Sequence, residues 1–313
     1  MTLIASDVEK SYELSEAMAR RRMPHLYRVA RLFPDADRYR AFCALYASMR
    51  WVDDRVDEKS TDLAGLSSWD REIAHAREGT PTRSEFGPAL SDTFARFDLP
   101  LDPWQKLSRS MRQDLSSYGF DSYEDFWAYA EGATVSPAAL FATLLLMRPQ
   151  QDGRFKPVRF YPEIRDAVRH AAVACYEIHI LRDAAADVRD GRIYFPQDEL
   201  GAFRLLGRRC VDASWRTYLK SYALRIRGGW EPALASLETL QGPMTPRERL
   251  MLHLLVEVYK LSLDKIIHLS FDVWSDRHWP EPSEIARLLE QMALRHEPGV
   301  DLSDLVVRVV EDV

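Results

Sequence analysis

Apolar residues recur at three- and four-residue spacing through most of the chain, the period of helices with one buried face. The pattern predicts helices over roughly 8–22, 36–58, 66–78, 86–97, 102–118, 122–147, 161–190, 210–227, 245–272, 281–296 and 301–312. Helix-stopping residues fill the gaps: Pro34, "GTPT" at 79–82, "LPLDP" at 99–103, "RPQQDG" at 148–153, Gly191 and "QGPMTP" at 241–246. No stretch alternates convincingly at the two-residue period of a strand, and no repeat, low-complexity tract or linker divides the chain. The expected fold is one all-α domain over residues 1–313. Helices 36–58, 122–147, 161–190 and 245–272 are apolar around much of their circumference, which places them in the middle of a bundle. Polar residues on those faces need an explanation.

Two of these helices carry matching polar stripes. In "LYASMRWVDDRVDE" (45–58), Tyr46, Arg50, Asp53 and Asp57 fall at i, i+4, i+7 and i+11 on one face. In the helix over 161–190, Tyr176, His179, Asp183 and Asp187 fall at i, i+3, i+7 and i+11. Each stripe runs from an aromatic through a cation or imidazole to two carboxylates. Aspartates four apart repel, weakening a helix by roughly 0.2–0.5 kcal/mol, and a solvated face usually sets lysine or arginine at that spacing. Two such pairs on central helices would repel strongly unless cations hold them. Magnesium suits, because it takes one or two carboxylates and completes its octahedron with water and phosphate oxygens. Three alanines separate Asp183 from Asp187, with Arg182 and Arg189 flanking the pair, so metal and diphosphate can approach the helix. An apolar remainder of the cavity would hold a hydrocarbon tail and shield a carbocation. Ionisation of a prenyl diphosphate is the expected chemistry.

Composition narrows the alternatives. With 46% hydrophobic residues the 313-residue chain can bury a sizeable core, and only 13 glycines favour helices over turn-rich β structure. A formal charge of −6 gives no support to nucleic acid as a partner. Cys43, Cys175 and Cys210 are far apart and read as buried small hydrophobes in a reducing compartment. The start of the chain turns charged from Asp7 onward, unlike a signal peptide, and no run of about 18 apolar residues occurs. A cytoplasmic location follows as an expectation. The run "RRR" at 20–22 reads as a solvated helix end, with contact to an anionic membrane surface, peripheral and serving product release, as the alternative. A di-iron bundle would need two ExxH motifs, and the chain has one, Glu72–His75. P-loop, GxGxxG and HExxH motifs are absent.

At these residues the sequence resembles the squalene/phytoene synthase family, all-α enzymes that join two prenyl diphosphates head to head. "ALYASMRWVDDRVDE" (44–58) looks like that family's first aspartate motif, and "ILRDAAADVRDGRIYFPQDEL" (180–200) like its second. "MRQDLSSYGFDSYEDFWAYAEGA" (111–133) is similar to its central segment, and "YKLSLDKIIHLSFDVW" (259–274) to its late helix. The resemblance implies an isoprenoid-synthase-type bundle with a central cavity. Asp53, Asp57, Asp183 and Asp187 would hold magnesium and diphosphate, and Arg50 and Arg182 would bind phosphate oxygens. Tyr46, Tyr129 and Tyr259 would line the cavity where the cation forms, although aromatics at helical spacing are more often plain core. Farnesyl or geranylgeranyl diphosphate would be the substrate, with NADPH needed only if the product is reduced.

Three departures fall on the substrate site. Tyr176 and His179 replace the family's usual glutamine and asparagine, "PHLY" (24–27) replaces a diphosphate-contacting serine pair, and "ATVSPA" (133–138) replaces a glycine-bearing VAGxVG stretch. His179 is either a hydrogen-bond donor to phosphate or a core histidine. The expected reaction is magnesium-dependent condensation of two prenyl diphosphates through a cyclopropyl diphosphate. The alternatives are terpene-synthase-like ionisation and cyclisation of one prenyl diphosphate, and a non-catalytic prenyl-lipid-binding homologue.

Overall fold

The structure, a computed structural model, describes residues 5–116, 119–208, 211–274 and 278–311. Its helices are α1 (Ala5–Arg22), α2 (Pro24–Ala30), α3 (Ala36–Asp57), α4 (Leu63–Glu78), α5 (Gly87–Arg96), α6 (Asp102–Ser116), α7 (Tyr123–Ala130) and α8 (Ser136–Leu145). They continue as α9 (Tyr161–Arg189), α10 (Gln197–Ala202), α11 (Arg216–Glu238), α12 (Pro246–His268), α13 (Pro282–His296) and α14 (Ser303–Val310). The all-α expectation holds, with one addition: a two-stranded antiparallel hairpin, β1 (Met147–Pro149) and β2 (Phe155–Pro157). Among the described residues no helix is long and apolar enough to cross a membrane.

Local chemistry sets the helix ends. Asp35 accepts a hydrogen bond from the Arg38 amide to start α3, and Ser122 and Thr245 open α7 and α12 through capping boxes. Helix α9 forms the axis, packed by α8, α11 and α12, while α3 lies against α6 and α8. Cys43 and Cys175 are buried, as expected, and Cys210 lies outside the described residues. The predicted helix end "RRR" is not simply solvated: Arg22 pairs with Asp54 at 2.8 Å and with Glu58 at 3.4 Å, tying α1 to the first aspartate helix.

Two expected helices differ, for physical reasons. The span 122–147 breaks at a π-helical turn over 131–135. Pro137 lacks an N–H and its ring excludes the carbonyl four residues back, so one extra residue enters the turn there. Gly132 packs against α6 so closely that a Cβ would meet the Lys106 carbonyl oxygen at 2.2 Å. The turn thereby carries Ala133, Thr134, Pro137 and Ala138 to the central cavity. Helix α11 starts later than expected and runs through Gly228, Gly229 and Pro232 to Glu238. Each glycine costs about 1 kcal/mol in a helix. Burial of Trp230, Ala233 and Leu237 offsets it, a large buried side chain contributing roughly 1.5–3 kcal/mol.

Candidate active site

A cavity of about 450 Å³ opens between α3, α8, α9 and α12. Its far end is apolar, with Phe42, Phe141, Leu144, Val168 and Leu252 among the walls. At its other end the two stripes face each other. Tyr46, Arg50, Asp53 and Asp57 from α3 and Tyr176, His179, Asp183 and Asp187 from α9 all line the space, joined by Tyr129 and Tyr259. The helical period read from the sequence is what makes this convergence legible.

Each carboxylate already touches a cationic or imidazole group. Arg50 donates to Asp53 at 2.6 Å and to Asp54 at 2.5 Å. His179 Nε2 lies 2.8 Å from Asp183. Arg192 donates to Asp187 at 2.7 Å and stands 3.9 Å from Asp57, bridging the two motifs. Arg192 escaped the sequence reading, which assigned phosphate binding to Arg50 and Arg182; Arg189, flanking the pair, points outward to Asp190. The available signal was Gly191, whose φ of +82° folds the chain back at the helix end. The Arg192 amide then bonds the Asp187 carbonyl at 2.8 Å, and its guanidinium faces inward.

Arg182 is the one expected residue not on the cavity wall. It is buried behind Asp183, which accepts from its Nε and Nη2 at 2.7 and 2.8 Å, and its guanidinium lies 3.6 Å from the Trp279 ring centroid. Its visible task is to fix Asp183. In "PHLY", Leu26 lines the cavity while His25 is buried against Tyr259 and Trp279. Asp114 and Tyr194 were also missed. Asp114 is buried on α6 and accepts a 2.8 Å hydrogen bond from the Tyr129 hydroxyl.

Burial dominates the electrostatics. It raises Asp53, Asp57 and Asp187, and the neighbouring Asp53 charge helps bring Asp57 to about 7. Burial likewise lifts Asp114 to about 8 and Glu177, beneath Tyr123 and Arg225, to about 7. Burial opposes ionisation of Asp183 too, but His179 and Arg182 outweigh it and hold that carboxyl well below the usual range.

A pH dependence follows. Raised folded-state values mean that the folded chain binds more protons than the unfolded one between about pH 4 and 8, so stability falls as pH rises. The melting temperature in EDTA should therefore increase by a few degrees from pH 8 to 6.5. Below about pH 6.5 the gain is opposed by His25 and His253, which burial holds under the ordinary histidine value. Asp183 contributes stability above about pH 4, the unfolded carboxylate value, and loses it only as pH falls through its depressed folded value. A melting temperature that is flat, or rises, from pH 6.5 to 8 would contradict these assignments.

Comparison with known proteins agrees with the geometry. The sequence profile described as Squalene/phytoene synthase matches residues 19–283. The 15-cis-phytoene synthase of Synechococcus elongatus is 25% identical over 279 residues, covering 87% of this chain and 89% of that protein. The phytoene synthase of Arthrospira platensis is 28% identical over 280 residues, covering 85% and 87%. Among solved structures, a dehydrosqualene synthase in complex with ligand superposes with a TM-score of 0.78 at 18% identity, covering 94% of this chain and 99% of that one. A squalene synthase from Alicyclobacillus acidocaldarius gives 0.68 at 21% identity, covering 86% and 97%. With its profile match spanning both aspartate motifs and the helices that carry them, this chain belongs to the squalene/phytoene synthase family of prenyltransferases.

Proposed function

We propose that the protein condenses two prenyl diphosphates head to head, with magnesium, through a cyclopropyl diphosphate. The observation that carries this reading is the meeting of two aspartate pairs at the polar end of an otherwise apolar cavity. The donor set fits magnesium: four hard carboxylates, three of them raised by burial, gain from a neighbouring cation. Among the described residues no three His, Cys, Asp or Glu side chains gather into a metal cage. An ion here would therefore draw ligands from solvent and diphosphate as well, which is magnesium's habit.

Asp53, Asp57, Asp183 and Asp187 would hold the ions. When bound, magnesium neutralises the charge that develops on departing diphosphate. The chain's own contribution begins with binding. Arg50 Nε and the Tyr46 hydroxyl are buried without hydrogen-bond partners and would donate to diphosphate oxygens. Arg192 supplies a further fixed positive charge between the motifs. Farnesyl or geranylgeranyl tails would occupy the apolar end, where leucine and phenylalanine side chains exclude the water that would quench a cation. The rings of Tyr129 and Tyr176, both lining the cavity, would stabilise that cation.

Inorganic diphosphate tests the metal-dependent site directly. With magnesium at a hundred times the dissociation constant it should stabilise the fold by about 2.7 kcal/mol, a shift of several degrees, and much less in EDTA. Equal shifts with and without magnesium would contradict the reading.

A further inference from the structure

A groove of about 310 Å³ runs between α4 and α6, a size at the lower end of small-molecule sites, roughly 300–1,000 Å³. Gln105, Ser108, Arg109 and Arg112 reach it from one face of α6, at i, i+3, i+4 and i+7. Asp70, Ile73 and Ala74 reach it from α4, at i, i+3 and i+4. The groove shares no lining residue with the catalytic cavity, which Leu107 meets from a different side of α6.

Two observations point to a ligand. The first is Ser108, buried and with no hydrogen-bond partner for its hydroxyl. Buried hydroxyls on other helices bond back to the carbonyl four residues earlier: Ser15 to Ser11, Thr93 to Ala89 and Thr143 to Ala139. Ser108 does not, and a buried donor left unpaired is costly until something accepts from it. The second is Arg109, exposed and without a side-chain partner among the described residues. Nearby, Arg112 commits only its Nη2, to Asp70 at 2.7 Å and Ser67 at 3.5 Å, which leaves Nε and Nη1 as donors.

Charge and burial set the ligand class. Arg112 and Asp70 cancel, so Arg109 leaves the groove with one net positive charge. Ile73 and Trp104 are buried beneath it, and Trp104 is fixed by its Nε1 bond to Ser48 Oγ at 3.0 Å. We propose that the groove binds a small monoanionic amphiphile, a carboxylate on an apolar body. Arg109 and the free nitrogens of Arg112 receive the carboxylate, Ser108 donates to it, and the body lies on Ile73, Leu101 and Trp104. A phosphate monoester, with its charge of about −1.5 to −2, is the poorer ligand because Asp70 repels the second charge.

The test uses the full chain with isotope-labelled isoleucine methyl groups, titrated with 2-naphthoate in EDTA and followed by NMR. Ile73 reports the groove and Ile180 the catalytic cavity, each signal assigned with its valine variant. The probe should shift Ile73 saturably. Arg109→Glu should weaken that response about tenfold or more, and Ser108→Ala about threefold. Uncharged 2-naphthamide and dianionic 2-naphthyl phosphate should each bind about tenfold more weakly than the carboxylate. Because Arg109 is exposed and unpaired, its glutamate variant should melt within about 2 °C of wild type. A shift at Ile180 alone, an Ile73 response indifferent to Arg109, or equal binding of the amide would overturn the site. A phosphate that binds as tightly as the carboxylate, or more tightly, would overturn the single-charge assignment. The Arg109 comparison decides the matter even where the probe also enters the catalytic cavity.

Discussion

Asp53→Asn and Asp183→Asn are both expected to lower turnover by about a thousandfold, yet to move stability in opposite directions. Burial and the adjacent Asp54 charge disfavour ionised Asp53, so an uncharged amide holds or slightly raises the melting temperature. Arg50 keeps Asp54 as its partner at 2.5 Å. Asp183 differs because Arg182 is sealed behind it, with Trp279 on one face and the carboxylate as its counter-charge. Removing one partner of a fully buried pair costs roughly 3–5 kcal/mol. Asp183 is 30% exposed at its side chain, so a loss of about 2 kcal/mol is expected. Thermal melts beside a diphosphate-release assay read both effects. Equal stability changes in the two variants, or turnover retained in either, would contradict the assigned charges.

Arg192→Ala should lower turnover by about a hundredfold, the scale of removing one preorganised donor from a developing anion. No other cation among the described residues touches carboxylates of both motifs. Without it Asp57 and Asp187 face each other uncompensated, so the ligand-free protein should also lose about 1 kcal/mol. Arg192→Lys keeps the charge but not the forked donor geometry, and intermediate activity is expected. Steady-state kinetics over a magnesium titration separates the two losses. An alanine variant within twofold of wild type would remove Arg192 from the site.

The legible parts of the site were those written in helical period. Tyr46 to Asp57 and Tyr176 to Asp187 each share one face of one long helix, so spacing alone aligned them. What periodicity cannot show is how a side chain leaves its helix or meets another one. Arg192 comes inward only because Gly191 reverses the chain. Asp114 meets Tyr129 across two helices. Arg182 sits on α9 beside the stripe rather than on it, and so packs on Trp279 rather than facing the cavity. The fold shows the same division. Boundaries of α3 and α9 agree within a residue of the expected spans, because burial is joined by the Asp35 cap at α3 and by proline in the first turn of α9. The break at 131–135 follows from Pro137, whereas the continuation of α11 past Gly229 depends on what packs against it, the pocket for Trp230.

Product identity tests the central claim most directly. Purified protein is incubated with magnesium and either farnesyl or geranylgeranyl diphosphate, and the lipid extract is resolved by mass spectrometry. Head-to-head condensation predicts a product carrying two prenyl units, a C30 or C40 hydrocarbon or its cyclopropyl diphosphate, formed only with magnesium. A product containing a single prenyl unit with both substrates would contradict it.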